Sequence, residues 1–218
     1  MKNINFPPTL FITGIGTDVG KSIATGWLAR EMKDGGMNVI TQKMIQTGNI
    51  EWSEDINRHR GIMGCGKLPE DISRLTAPLI FTYPASPHLA ARIDNREIDL
   101  TSIISAAETL NSRYDYLLME GAGGLMVPIK EDYLTIDFIS DQNLPVALVV
   151  NGELGSINHA LLSLSAIRAY NLQLFAIIYN PYFDKDATIC ADTRAYLRNY
   201  LSLHFPDSLF LEMPVLTL

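Results

Sequence analysis

The sequence predicts an α/β domain with a mostly parallel sheet and helices on both of its faces. Three observations lead there. Short apolar runs alternate with helix-like runs throughout the chain. The run Val146 to Val150 is apolar on both faces, as strands covered from both sides are. A glycine-rich turn follows the first apolar run and opens the first helix, at the sheet edge where such folds carry ligand loops.

In chain order, Thr9 to Thr13 reads as the first strand. Lys21 to Lys33 follows as a helix, with Ile23, Trp27, Leu28 and Met32 at helical spacing, and Gly35 and Gly36 stop it. Asn38 to Thr41 reads as a strand. Met44 to Ser86, interrupted by Gly and Pro, reads as irregular and ligand-facing. Thr101 to Asn111 is a helix and Asp115 to Met119 a strand. Pro145 opens the strand Val146 to Val150. Leu154 to Ala169 is a helix, Leu174 to Tyr179 a strand, Ile189 to Leu203 a late helix and Leu209 to Glu212 a last strand. No linker or repeat divides the chain, so residues 1–218 are expected to form one domain.

Composition narrows the function. The net charge of −7, with no basic cluster, argues against a nucleic-acid backbone as partner. A few lysines and backbone N–H groups that converge locally can still bind phosphates. Cys65 and Cys190 are the two cysteines and have no neighbours at metal-ligand spacing. They read as reduced thiols of a cytoplasmic protein. The N-terminal stretch reads as a strand rather than a signal peptide. No run approaches the roughly 20 apolar residues of a membrane span, so no membrane partner is expected.

The segment Thr13 to Ser22, TGIGTDVGKS, lies between a strand and a helix, the context of a phosphate loop. Glycines let the backbone close on phosphate oxygens. The helix N-terminus adds partial positive charge. Lys21 brings a full charge towards the β- and γ-phosphates, and Ser22 a hydroxyl for Mg²⁺. The spacing departs from G-x-x-x-x-G-K-[ST]: Ile15 stands at the first position and Gly14 one residue earlier.

Glu120 ends the strand DYLLM and begins EGAGG, which places a carboxylate beside the loop. The glycines after it forgo side-chain packing, which favours a ligand there. Asp55 in WSEDINRH fits an N-cap as well as a metal ligand. Lys43 follows the second strand and by itself reads as a solvated surface lysine. His59, His88, His159 and His204 lack metal spacing, and no G-x-S-x-G element marks a serine hydrolase. Phosphate chemistry is what remains.

Together these segments resemble the dethiobiotin synthetase family. GIGTDVGKS is similar to its G-T-[DN]-T-[DE]-V-G-K-[ST], and KMIQTG to its K-P-[IV]-x-[ST]-G. PASPHLAA is similar to P-x-S-P-H-x-A, MEGAGG to V-E-G-A-G-G, and LGSINH to L-G-[CST]-I-N-H. The matches run in order from Thr13 to Pro214.

The resemblance implies a doubly wound P-loop NTPase-like sheet and usually a homodimer with the substrate site at the subunit interface. It implies a ligase that uses ATP and Mg²⁺ to join CO2 to 7,8-diaminopelargonic acid. On that resemblance Lys21, Lys43 and Thr17 are catalytic. Gly16, Thr17, Asp18, Val19, Gly20, Lys21, Ser22, Asp55 and Glu120 hold the nucleotide phosphates. Asn180, Pro214, Val215 and Leu216 meet its base. Ser22, Asp55 and Glu120 hold Mg²⁺. Thr47, Gly123 and Asn158 bind the diamine, Asn158 from the partner subunit.

Four departures stand out. Gly16 replaces a polar residue, Met44 replaces a proline, Glu153 stands where a basic residue is common, and the sequence ends soon after Pro214, where relatives often continue. The last leads one to expect looser base contacts. Two rival classes carry a similar loop. Cobyrinic acid a,c-diamide synthases add a glutaminase domain, for which this chain has no room. MinD/ParA-type switch ATPases have K-G-G-x-G-K-[ST], and GIGTDV has no such lysine.

Overall fold

A computed structural model describes residues 4–216. The elements, in order, are β1 (Thr9–Gly14), α1 (Lys21–Asp34), β2 (Val39–Lys43), β3 (Ile45–Thr47), α2 (Glu54–Ile62), α3 (Pro69–Ile72), β4 (Leu79–Phe81), α4 (Pro87–Ile93), α5 (Leu100–Asn111), β5 (Tyr116–Glu120), β6 (Pro128–Lys130), β7 (Tyr133–Leu134), α6 (Thr135–Asp141), β8 (Val146–Asn151), α7 (Ser156–Ala169), β9 (Leu174–Asn180), α8 (Ala187–His204) and β10 (Leu209–Glu212). A 3-10 turn, Pro181–Phe183, follows β9.

Six strands form one parallel sheet in the order β10-β9-β8-β1-β5-β2. Alternation along β1 divides the core. Phe11 faces a cluster with Ile103, Leu110, Phe138, Ile139, Leu164 and Leu197, from α5, α6, α7 and α8. Leu10 and Ile12 face Ala24, Trp27, Leu28 and Met32 of α1. Both sheet faces are therefore covered by helices, the doubly wound arrangement. The strand order switches sides at β1, with β2 and β5 added on one side and β8, β9 and β10 on the other, so the loop after β1 opens into the crevice where such sheets bind ligands.

The ten elements expected from the sequence are all present; the last strand has the expected bounds and the other nine have shifted ends. β2 runs on through Gln42 and Lys43, and β5 through Glu120. These polar residues are buried, so they extend strands that hydropathy alone would end. α7 begins at Ser156, not Leu154, because Gly155, at φ 95°, caps it.

The expectation of irregular chain from Met44 to Ser86 is corrected. That stretch holds β3, α2, α3 and β4, with β3 and β4 forming a separate two-stranded parallel sheet. The buried face of α2 carries His59 and Arg60, so no apolar period betrayed the helix. β3 and β4 are three residues each, too short to alternate visibly.

Candidate active site

The loop from β1 to α1 closes over the sheet's carboxyl edge. Gly20, at φ 94°, caps α1, and a Cβ there would stand 2.2 Å from Nδ2 of Asn180. Glycine is thus required both by conformation and by contact. Asp18 also takes a positive φ, 58°. Lys21 is buried, and its Nζ donates to the Gly16 carbonyl at 2.7 Å. The lysine arm thereby lies back along the loop. Burial, then the nearby Lys43, pushes the Lys21 ammonium down to about 8. A phosphate entering the loop brings the counter-charge this ammonium lacks.

Lys43 and Glu120 are direct partners in the register of β2 and β5. Their side chains meet, with Nζ 2.8 Å from Oε1, and Nζ also donates to the Gly121 carbonyl at 2.9 Å. Asp55 Oδ2 lies 2.8 Å from the same Nζ. Burial works against the Lys43 charge, but Glu120 and Asp55 outweigh it and hold the ammonium above the ordinary lysine range. Burial likewise works against the Glu120 carboxylate, yet Lys43 and His59 hold it well below the usual carboxyl range. Lys43 is no solvated surface lysine; it is a buried counter-ion.

Asp55 does not cap α2. Ser53 does, accepting from the Ile56 N–H at 3.1 Å. That leaves the Asp55 carboxylate, on the first turn, free to reach the loop. Ser22 Oγ stands 2.7 Å from Asp55 Oδ1 and 2.9 Å from Glu120 Oε1. The close approach of α2 to α1 makes this reach possible. A Cβ on Gly26 would stand 2.9 Å from Cδ1 of Ile62 and 3.2 Å from Cα of His59, so the glycine lets the two helices touch.

Ser22, Asp55 and Glu120 offer three hard oxygen donors at one point. Among the described residues, no three His, Cys, Asp or Glu side chains would hold a metal by themselves. A hydroxyl and two carboxylates, with phosphates and water completing the shell, suit Mg²⁺.

Met44, in place of the family's proline, has a structural role. Its N–H donates to the Glu120 carbonyl at 3.0 Å, a bond a proline cannot make. Glu153 accepts from Asn151 Nδ2 at 3.0 Å and pairs with Lys185 at 3.7 Å. Part of EGAGG answers to packing, since a Cβ on Gly121 would strike the Phe11 ring at 2.8 Å.

These groups line one cleft of about 1010 Å³, at the upper end of the usual size of a ligand pocket. Thr17, Asp18, Gly20, Lys21, Ser22, Lys43, Thr47, Asp55, Glu120, Gly123, Asn180, Val215 and Leu216 border it. Asn180 is held by its own contacts. Its Nδ2 donates to the Val19 carbonyl at 3.0 Å, and its Oδ1 accepts from the Tyr182 N–H at 3.1 Å. Gly16 and Val19 meet the site through their backbones, and the Val19 side chain is in the core. Asn158, exposed on α7, and Pro214 stand outside the cleft of a single chain.

Sequence reasoning missed His59, whose Nε2 lies 2.7 Å from Glu120 Oε2. Its place four residues after Asp55, on the same helix face, was the available signal. Arg58, which also borders the cleft, was missed too.

Residues 8–208 match the family described as AAA domain. The ATP-dependent dethiobiotin synthetase BioD 2 of Pasteurella multocida is 46% identical over 207 residues, covering 95% of this chain and 97% of that protein. The ATP-dependent dethiobiotin synthetase BioD of Chlorobaculum tepidum is 43% identical over 209 residues, 96% of this chain and 86% of that one. Among solved structures, a plasmid partition protein of Borrelia burgdorferi bound to AMPPNP superposes with a TM-score of 0.55 at 16% identity, covering 96% of this chain and 88% of that one. pNOB8 ParA bound to nonspecific DNA gives 0.52 at 14% identity, covering 94% and 79%. The two structural likenesses are of fold alone.

Proposed function

The chain belongs to the dethiobiotin synthetase family, and from that premise we propose that it joins CO2 to 7,8-diaminopelargonic acid with ATP, giving dethiobiotin, ADP and phosphate. The observation that carries this reading is the convergence of Lys21, Lys43, Ser22, Asp55 and Glu120 on one cleft behind the phosphate loop. The reaction brings anions together, so the site must cancel their repulsion.

One amine of the substrate attacks CO2 and loses a proton, leaving a carbamate. A carbamate oxygen then attacks the γ-phosphorus as the bond to the ADP oxygen breaks, forming a carbamic-phosphoric anhydride. The second amine attacks the carbonyl carbon, closes the five-membered ring and expels phosphate. Backbone N–H groups of residues 16–22 and the Lys21 ammonium hold the phosphates. Lys43 faces the carbamate, with Thr17 and Thr47 as hydroxyl partners. Ser22, Asp55 and Glu120 would hold Mg²⁺, which would supply charge neutralisation to the phosphates. Asn180, Val215 and Leu216 receive the base, with Pro214 shaping the segment between Met213 and Val215, which border the cleft.

Gly123 and Asn158 receive the diamine's carboxylate tail, Asn158 from a second subunit. Its exposed position on α7, near the exposed Leu154 and Leu162, supports a homodimer in which the site is completed across the interface. Among the described residues, no helix is long and apolar enough to cross a membrane. Reduced Cys65 and Cys190 fit a cytoplasmic enzyme. No nucleic-acid partner belongs to this reading.

The test is incorporation of labelled bicarbonate with diamine and ATP. Label should enter product only when both are present. ADP release at full rate without diamine would instead favour a switch ATPase.

A further inference from the structure

We propose that His59 is a positioning residue: it holds one oxygen of Glu120 so that the other faces the cation site, and its own orientation is set by a buried chain through Thr41, Arg60 and Asp71. The inference rests on the reading of Glu120 as a Mg²⁺ ligand.

Hydrogen-bond directions along this buried relay are constrained at both of its ends. Arg60 can only donate. Its Nε and Nη2 donate to Asp71 Oδ2 and Oδ1 at 2.9 and 2.8 Å, a two-pronged pair that fixes the guanidinium plane. Asp71 is further held by Thr76 Oγ1 at 2.7 Å and the Leu68 N–H at 2.8 Å. Arg60 Nη1 donates to Thr41 Oγ1 at 2.8 Å. The Thr41 hydroxyl therefore accepts from Arg60, which leaves its single proton available to His59 Nδ1, 3.0 Å away. Glu120 Oε2, 2.7 Å from Nε2, can only accept, so Nε2 carries the ring proton, and in the neutral ring Nδ1 accepts from Thr41.

The five side chains Thr41, His59, Arg60, Asp71 and Glu120 are all buried. Glu120 then divides its two oxygens. Oε2 is taken by His59. Oε1 takes Ser22 Oγ and Lys43 Nζ on the side of the cleft. An unbranched carboxylate turns freely about its last bond unless both ends are engaged. With His59 removed, Oε2 would be buried without a partner, and the plane of the carboxylate would be set from one side only. Hydrogen-bonded partners of metal ligands act in this way, and their loss typically weakens metal binding about 10–100-fold.

The test is Mn²⁺ binding to the full chain in the presence of ADP, followed by electron paramagnetic resonance, alongside melting curves. Glu120→Gln serves as the reference and should weaken Mn²⁺. His59→Leu should weaken it about 10–100-fold. His59→Gln, whose amide N–H reaches towards Oε2, should recover part of the loss. Thr41→Val should weaken it less and in the same direction. Wild-type Mn²⁺ affinity in His59→Leu, with Glu120→Gln impaired, overturns the positioning role and leaves the metal site standing. Unchanged affinity in Glu120→Gln removes the metal reading and this inference with it. Should His59→Leu fail to fold, Thr41→Val decides: a lowered melting point with unaltered Mn²⁺ affinity overturns the proposal.

Discussion

Lys43 Nζ lies 2.8 Å from Glu120 Oε1, and the two residues are opposite one another in the parallel register of β2 and β5. The lysine is the built-in counter-ion of two acids, Glu120 and Asp55. Lys43→Ala should lower stability by about 3–5 kcal/mol, because it leaves buried charge uncompensated. A divalent cation would then replace the missing charge, so Mg²⁺ should raise the melting temperature of the variant more than that of the wild type. Melting curves with and without Mg²⁺ check this; equal gains would count against the counter-ion role.

Lys21→Ala should lower kcat/KM for ATP by about 10²-fold or more, the usual scale for losing one stabilising charge in a closed site. Steady-state kinetics measure it. A near-normal rate would remove Lys21 from the machinery.

Gly20→Ala places a methyl group where Nδ2 of Asn180 lies, 2.2 Å from an ideal Cβ, in a backbone conformation that costs a side chain about 1–2 kcal/mol. Asn180 must move. The variant should lose discrimination between ATP and GTP, read as a smaller ratio of their KM values. An unchanged ratio would mean that Asn180 does not read the base.

Asp71 gives a pH signature. Burial raises its pKa, but the Arg60 hydrogen bonds and charge, with Leu68 and Thr76, outweigh burial and hold it below the ordinary aspartate value. A group depressed in the folded state contributes stability above its unfolded pKa of about 3.9. That contribution is lost as pH falls through the folded value. Asp71→Asn should therefore be less stable than wild type at pH 7, with the gap closing below about pH 4. Urea unfolding across pH 3 to 7 tests it; a gap that stays constant would mean that the charge is not what stabilises.

Asn158→Ala and Lys21→Ala chains should each be weak alone. If Asn158 acts across a subunit boundary, mixing and refolding the two should restore part of the activity through mixed dimers. No recovery would place Asn158 outside the partner's site.

The phosphate loop was legible because three local features agree there: a strand, a run of glycines and a helix led by Lys21 and Ser22. Glu120 was legible from the glycines behind it. Asp55 was ambiguous alone and Lys43 read as a surface lysine, because their partners lie far away in sequence. Only the contact of α2 with α1 and the register of β2 with β5 make them a pair. His59 offered only the weak signal of its spacing from Asp55, which needs the helix to be recognised first. Its helix hides the usual apolar period, and its partners Thr41 and Glu120 are 18 and 61 residues away. Pattern reading finds what neighbours in sequence decide, and this network is decided by neighbours in space.

The N–H of Met44 on the Glu120 carbonyl has a mechanical sequel. Where a proline would let the lysine's backbone be shaped by its own ring, here that backbone is stitched to the strand bearing the acid. The lysine and the acid thus stand on neighbouring strands joined both at their own register and one residue beyond it.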